Sequence, residues 1–409
     1  MTRLRQTPHA VPSAAPRALA PSQGRRTPGS PGGRVAAAAV AVVAALTLTA
    51  CGSDDPLNHP WRPGPAAQEG AAGDGAAPEV EGLTGTVAGA GSSAQEAAMQ
   101  AWIAGFQSAN PDVSVAYDPV GSGGGRTQFV EGGIAYAGSD APLDEEELAA
   151  AQERCAPGAV AELPLYISPI AVMFNLEGVT SLNMSAATIA GIFAREITRW
   201  DDPRIAADNP GVALPDLGIT PVNRSDESGT TENFTEYLHE AAPDVWTFDP
   251  SGNWPLTGGQ SAQGTSGVVQ TVQDGQGTIT YADASRAGTL GTVALGVGEE
   301  WVPFSPEAAA AVVDASPRAE GRPEASLVVE LDRDTTAPGA YPLVLVSYTL
   351  ACTAYADAAD AELVGAFLSY VASEEGQAAA AQAAGSAPIS DALREQVLPV
   401  VEAISQEAM

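Results

Sequence analysis

Apolar residues alternate between two spacings along most of the chain. Met99, Trp102, Ile103 and Phe106 recur at helical spacing and predict a helix with its apolar face inward. Leu363, Phe367, Leu368 and Val371 do the same in what reads as a last helix. Before and between them lie short runs of β character: Thr84–Ala88, Val113–Tyr117, Ile134–Ala137, Ile219–Val222, Gly277–Tyr281 and Leu327–Leu331. Ile189–Phe193, Val268–Gln273 and Ala308–Val313 read as further helices, and one of acidic first turn starts at about Asp144. Pro164–Asn175 is almost continuously apolar and suits a strand buried on both faces. A similar run, Tyr341–Val346, lies near residue 340. Strands alternating with helices predict an α/β fold. No repeat with a period of 20–50 residues is evident.

Several predicted strands run into glycine- and hydroxyl-rich loops that open a helix. Gly89-Ala90-Gly91-Ser92-Ser93-Ala94 follows the first strand, Gly121-Ser122-Gly123-Gly124-Gly125-Arg126 the second, and Gly138-Ser139-Asp140 ends the third. Arg224-Ser225-Asp226-Glu227-Ser228-Gly229-Thr230-Thr231 precedes the apolar pattern Phe234, Tyr237, Leu238. The first N–H groups of a helix are unpaired and carry partial positive charge, which suits an anion. Ser228 and Thr230 add hydroxyl donors, Gly229 admits close approach, and Arg224 can grip two oxygens. Taken singly, the Arg224 loop is equally an N-capped helix beside a surface ion pair, and Asp140 alone reads as a helix cap.

Composition narrows the chemistry. The 409 residues suffice for two or three domains, and a 45% hydrophobic content allows a sizeable core. All 18 cations are arginine. Without lysine there is neither a P-loop NTPase nor Schiff-base chemistry. The formal charge of −32 opposes nucleic-acid binding. The histidines are His9, His59 and His239, too few beyond the N-terminal segment for a histidine-rich metal site or for several His-dependent steps.

Residues 1–34 carry six arginines and no acid, and Val35–Ala50 is a 16-residue apolar run, short for a membrane span but suited to an export signal. It ends Leu48-Thr49-Ala50-Cys51, which resembles the bacterial lipobox and implies lipidation of Cys51. Residues 1–51 are therefore expected to be a lipoprotein signal with its lipidated cysteine, and residues 52–82, rich in Gly, Ala, Pro and acids, a flexible tether. Without residues 1–50 the chain bears twelve arginines against 50 acids, a net −38. Cys155 and Cys352 remain, as a disulfide of an exported protein or as two buried thiols.

The four loops in this order, behind a lipobox, resemble the phosphate-binding lipoprotein of the bacterial phosphate ABC importer, from about Leu83 to the C-terminus. The resemblance implies a two-lobed periplasmic-binding-protein-like fold of type II with a hinge and an inter-lobe cleft. Lobe 1 would comprise residues 83–164 and 340–409, and lobe 2 residues 165–339. It also implies that Ser93, Ala94, Ser122, Asp140, Arg224, Ser228, Gly229 and Thr230 bind phosphate, that Asp226 orients Arg224, and that Ile197–Pro203 forms a Trp-Asp-Asp turn. The loop Trp254–Gly267 would border the cleft with only an indirect relation to the ligand. The implied partners are phosphate, permease and ATPase subunits and a membrane lipid, with a monomer, no cofactor, no metal and no catalytic residue. Asp140, acceptor-only when ionised, would favour an anion that keeps a proton over sulfate. Two positions depart from the family pattern: Gly123, where some members have serine, and Glu227, where glycine is usual. Glu227 pointing to solvent would be harmless, whereas pointing inward it would weaken binding. Other oxyanions, a secreted phosphatase using Ser93, Ser228 or Thr230, and a surface sensor or adhesin are the alternatives.

Overall fold

The computed structural model describes residues 82–406, so the expected signal, Cys51 and most of the tether lie outside the described residues. The strands are β1 (Gly85–Gly91), β2 (Val113–Asp118), β3 (Tyr136–Ser139), β4 (Val160–Phe174), β5 (Ser181–Met184), β6 (Thr220–Arg224), β7 (Gln260–Ala262), β8 (Thr278–Asp283), β9 (Gly291–Val297), β10 (Glu300–Val302) and β11 (Val344–Cys352). The helices are α1 (Glu96–Ala109), α2 (Ser122–Val130), α3 (Glu145–Cys155), α4 (Ala186–Phe193), α5 (Pro203–Asp208), α6 (Gly229–Ala241), α7 (Gly264–Asp274), α8 (Pro306–Ala315), α9 (Ala358–Ala372), α10 (Glu374–Ala384) and α11 (Asp391–Gln406). The main strand order is β2-β1-β3-β11-β4-β8-β6-β7, with β9 beside β4 and flanked by β5 and β10.

β4 is the spine. All 15 of its residues are buried, which accounts for the almost continuous apolar run. Its first two thirds pair antiparallel with β11, from Val160 against Cys352 to Pro169 against Val344. From Ile170 onward it pairs with β8 instead. Pro169 has no N–H to give to a ladder, and the exchange of partners falls beside it. One half of the sheet, β1 to β3, thus hangs on β11, and the other, β6 to β8, on the far end of β4. Parallel pairing of β1 with β2 and β3 puts the C-terminal ends of all three strands, and their glycine loops, on one edge.

The cores follow the predicted faces. Met99, Trp102 and Phe106 are buried, and the Trp102 indole N–H donates to Gly376 O at 2.7 Å. α3 starts where its acidic turn predicted. Asp144, not Asp140, is its cap, accepting from Glu147 N at 2.7 Å while Glu147 Oε2 accepts from Asp144 N at 3.1 Å. The Trp-Asp-Asp turn holds: Trp200 is buried and Asp202 caps α5. Cys155 ends α3, Cys352 ends β11, and the two form a disulfide. It closes a separation of 197 residues, which constrains the unfolded chain by about 4–5 kcal/mol in the entropy model.

Two expectations are corrected. Leu327–Leu331 is not a strand. It makes backbone hydrogen bonds such as Leu327 N to Glu162 O at 2.9 Å, and isolated bridges occur at Ser326 and Val329. The segment touches the β4 edge only around Glu162, so its pairing stops at single bridges and never extends into a ladder. The helix of Leu363 to Val371 is not the last, because α10 and α11 follow. Alanines dominate α10, whose apolar face is too small to register as a strong period.

Candidate functional site

The loops meet where the two halves of the sheet face each other. α6 begins directly after β6, and Ser228 caps it, its hydroxyl accepting from Thr231 N at 3.2 Å. Gly229 sits against the Asp140 turn so closely that a Cβ there would lie 2.7 Å from Asp140 Cβ and 2.8 Å from Ser122 Oγ. Glycine is required at this position to let the helix start reach the opposite half. Thr230 Oγ1 donates to Asp140 Oδ2 at 3.0 Å, and Asp140 N donates to Ser122 Oγ at 3.1 Å.

Arg224 ends β6 with its side chain buried. Its Nε donates to Asp226 Oδ1 at 2.8 Å and its Nη2 to Asp226 Oδ2, a two-pronged grip that fixes the plane of the guanidinium. Asp226 also accepts from Gly264 N at 3.0 Å. Burial alone would push the Asp226 carboxyl up, but the Arg224 guanidinium and the Gly264 N–H hold it below the usual range. Gly121, at φ +99°, passes so close that a Cβ there would lie 2.6 Å from Asp226 Oδ2 and 3.7 Å from Arg224 Nη2.

Asp140 is 3% exposed. Burial raises its pKa, and the hydroxyls of Ser92, Ser347 and Thr230 together with the charge of Arg224 pull it back. Its Oδ1 is buried and accepts no well-aligned hydrogen bond within the protein. Ala94 N donates to Ser92 Oγ at 3.1 Å, so that loop is knitted before α1 begins. All eight residues expected at an anion site therefore lie in one cluster, with Asp226 behind Arg224.

Three participants escaped the sequence reading. Thr265, at the head of α7, donates its N–H to Ser93 Oγ at 3.0 Å and shares a hydroxyl–hydroxyl hydrogen bond with it at 3.1 Å. The Gly264–Gly267 loop thus touches both Ser93 and Asp226, so its relation to the proposed ligand runs through those two residues. Its glycine and hydroxyl composition is the same as that of the other loops and was the available signal. Asn233, one turn into α6, donates to Asp140 O at 2.6 Å and to Gly229 O at 2.9 Å. Arg126 is 6% exposed at its side chain and reaches Glu147, Ser139 and Glu227. Both stand one helical turn after a residue of the loops, Arg126 after Ser122 and Asn233 after Gly229, and that spacing was the available signal.

A cavity of about 360 Å³ adjoins Asp140 and Asn233, lined also by Glu232, Glu236, Glu240 and Arg333. Its acids make it the wrong sign for an anion, so the donor cluster of Arg224, Ser228 and the helix starts is the better site. Among the described residues no group of three or more His, Cys, Asp or Glu is placed to hold a metal ion.

Residues 70–375 match the PBP superfamily domain. The chain is 35% identical over 341 residues to the phosphate-binding protein PstS 3 of Mycobacterium tuberculosis, covering 81% of this chain and 89% of that protein. With the phosphate-binding protein PstS 2 of the same organism it shares 33% identity over 378 residues, 90% of this chain and 98% of the relative. The fold resembles the solved phosphate-binding protein from Stenotrophomonas maltophilia with a TM-score of 0.59 at 20% identity, over 77% of this chain and 93% of that one. With its loops, its α/β sheet and these relatives in view, the chain belongs to the PBP superfamily and, within it, to the PstS family of phosphate-binding proteins.

Proposed function

We propose that this protein binds inorganic phosphate outside the cytoplasm and delivers it to the permease and ATPase subunits of an ABC importer, with no bond made or broken. The ligand lies between a lobe of residues 83–164 and 340–409 and a lobe of residues 165–339. Ser93, Ala94, Ser122, Asp140, Arg224, Ser228, Gly229 and Thr230 contact it, and Asp226 orients Arg224. A lipid on Cys51 tethers the monomer to the membrane.

The observation that carries this reading is the placing of one buried carboxylate beside a buried guanidinium and a helix start, at Asp140, Arg224 and α6. An all-donor site would suit any oxyanion. A single acceptor among donors selects an anion that still carries a proton, as phosphate does and sulfate does not at neutral pH. Surface carboxylates do not oppose this, because they are screened over about 8 Å at physiological salt.

A hydrolase is less well supported. His239 is the one histidine among the described residues, and it lies near the far end of α6, bonded to Phe248 O at 3.0 Å. Ten residues of helix separate it from Gly229, about 15 Å at 1.5 Å per residue, so it cannot activate Ser228 or Thr230.

Calorimetric titration of residues 52–409, stripped of ligand, tests the proposal. One-to-one phosphate binding without a sulfate signal is expected, and Asp140→Asn should gain measurable sulfate binding. Absence of phosphate binding to the unaltered protein overturns the reading, and undiminished selectivity in the variant overturns the role of Asp140.

A further inference from the structure

Glu227 stands next to the helix start that would receive the anion, and by charge alone it should repel phosphate. Its side chain does not lie free. It crosses Gly123 and accepts from Arg126 Nη2 at 2.9 Å. The crossing depends on the other departure from the family pattern, because a Cβ on Gly123 would lie 2.4 Å from Glu227 Cδ. Gly123 N also donates to Glu227 O at 3.4 Å. The two departures are thus one arrangement, a glycine on α2 making room for a glutamate from the β6–α6 loop.

Arg126 turns this contact toward the site. Its Nη1 donates to Ser139 Oγ at 3.2 Å, and Ser139 immediately precedes Asp140. Its Nε donates to Glu147 Oε1 at 2.9 Å, which anchors it to α3. Arg126 belongs to the half of the sheet built on β1 to β3, and Glu227 to the half built on β6 to β8. Each carries one wall of the anion cluster, Ser122 and Asp140 on one side and Arg224 to Thr230 on the other.

We propose that Glu227 is a positioning residue for phosphate. Through Arg126 it draws the Arg224 loop onto the Ser122–Asp140 wall, and its carboxylate raises affinity rather than lowering it. The inference rests on the phosphate reading above, and its sign is opposite to that of simple repulsion. Half of the Glu227 side chain is exposed, so the pair is open to salt screening, unlike the Arg224–Asp226 pair.

The test compares the unaltered protein with Glu227→Gln and Gly123→Ser by phosphate titration at 0.05 and 0.5 M NaCl, together with small-angle scattering of the ligand-free proteins. Gly123→Ser keeps both charges and obstructs their contact. Either substitution should weaken phosphate binding about five- to thirtyfold at low salt, with a smaller difference at high salt, and should enlarge the radius of gyration. Equal or tighter phosphate binding by Glu227→Gln overturns the proposal. If the unaltered protein binds no phosphate, the ligand reading fails and scattering decides the strut on its own: a larger radius in both variants upholds it, and an unchanged radius overturns it.

Discussion

Two buried arginines serve the same cluster by different means. Arg224 is held by Asp226, two residues along the same loop, and keeps a fixed plane that can face a ligand. Arg126 is held by Glu147 and Glu227, 21 and 101 residues away, and its three nitrogens are spent on protein. The first is a local device that, in the proposed function, presents a charge-assisted donor to the anion. The second is a tertiary device that joins three segments. A buried guanidinium needs partners in either case. What differs is whether those partners leave it free to do anything else.

Arg224→Ala should separate the two most sharply. Charge-assisted hydrogen bonds contribute about 1.5–3 kcal/mol each, so loss of two to the ligand should weaken phosphate binding by at least about a hundredfold. Titration would check this, and near-normal affinity would remove Arg224 from the site. Arg126→Met should show the reverse balance, losing about 2–3 kcal/mol of stability by urea unfolding and roughly tenfold in affinity, since three bonds to protein are broken. A large affinity loss at unchanged stability would make Arg126 a ligand residue and collapse the distinction.

The smallest effect concerns Glu232, half-buried among Arg126, Glu236, Glu147 and Glu227. Burial, aided by the neighbouring acids and opposed by Arg126, raises its pKa from 4.5 to about 7. A raised carboxyl keeps its proton in the folded state after the unfolded chain has lost it. Its contribution is complete below pH 4.5 and is lost as pH rises through about 7. Discounted for partial exposure, that slope is on the order of 1 kcal/mol. Glu232→Gln should remove it, making unfolding free energy flatter between pH 5 and 8. An unaltered slope would show that Arg126 outweighs the burial of its neighbour.

Much of the site was legible because its grammar is local. A strand, a glycine, a hydroxyl and a helix start are consecutive, so the loops of Ser93, Ser122, Asp140 and Arg224 to Thr230 stand out within short windows, but singly they read as helix caps, and only their order and the family resemblance it carries imply a ligand. Asp226 was readable for the same reason, lying two residues from its arginine. Gly264-Thr265 used the same grammar and was undervalued, because sequence does not say which loops share an edge. The orientation of Glu227 is not legible in the sequence, since its partner Arg126 lies on another helix. β5, β7 and β10 are three or four residues long, and edge strands this short carry little period.

The sequence by itself determined the α/β alternation, the buried run of β4, the caps and glycine loops, and the charge balance. Each depends on neighbours within one or two turns, where the chain fixes distances through its own geometry. Only the tertiary structure decided that Cys155 meets Cys352, that Thr265 meets Ser93, and that Glu227 crosses Gly123 to Arg126. Those contacts join segments 101 to 197 residues apart. At such separations proximity is set by the packing of the halves of the sheet on β4 and β11, and side-chain spacing carries no record of it.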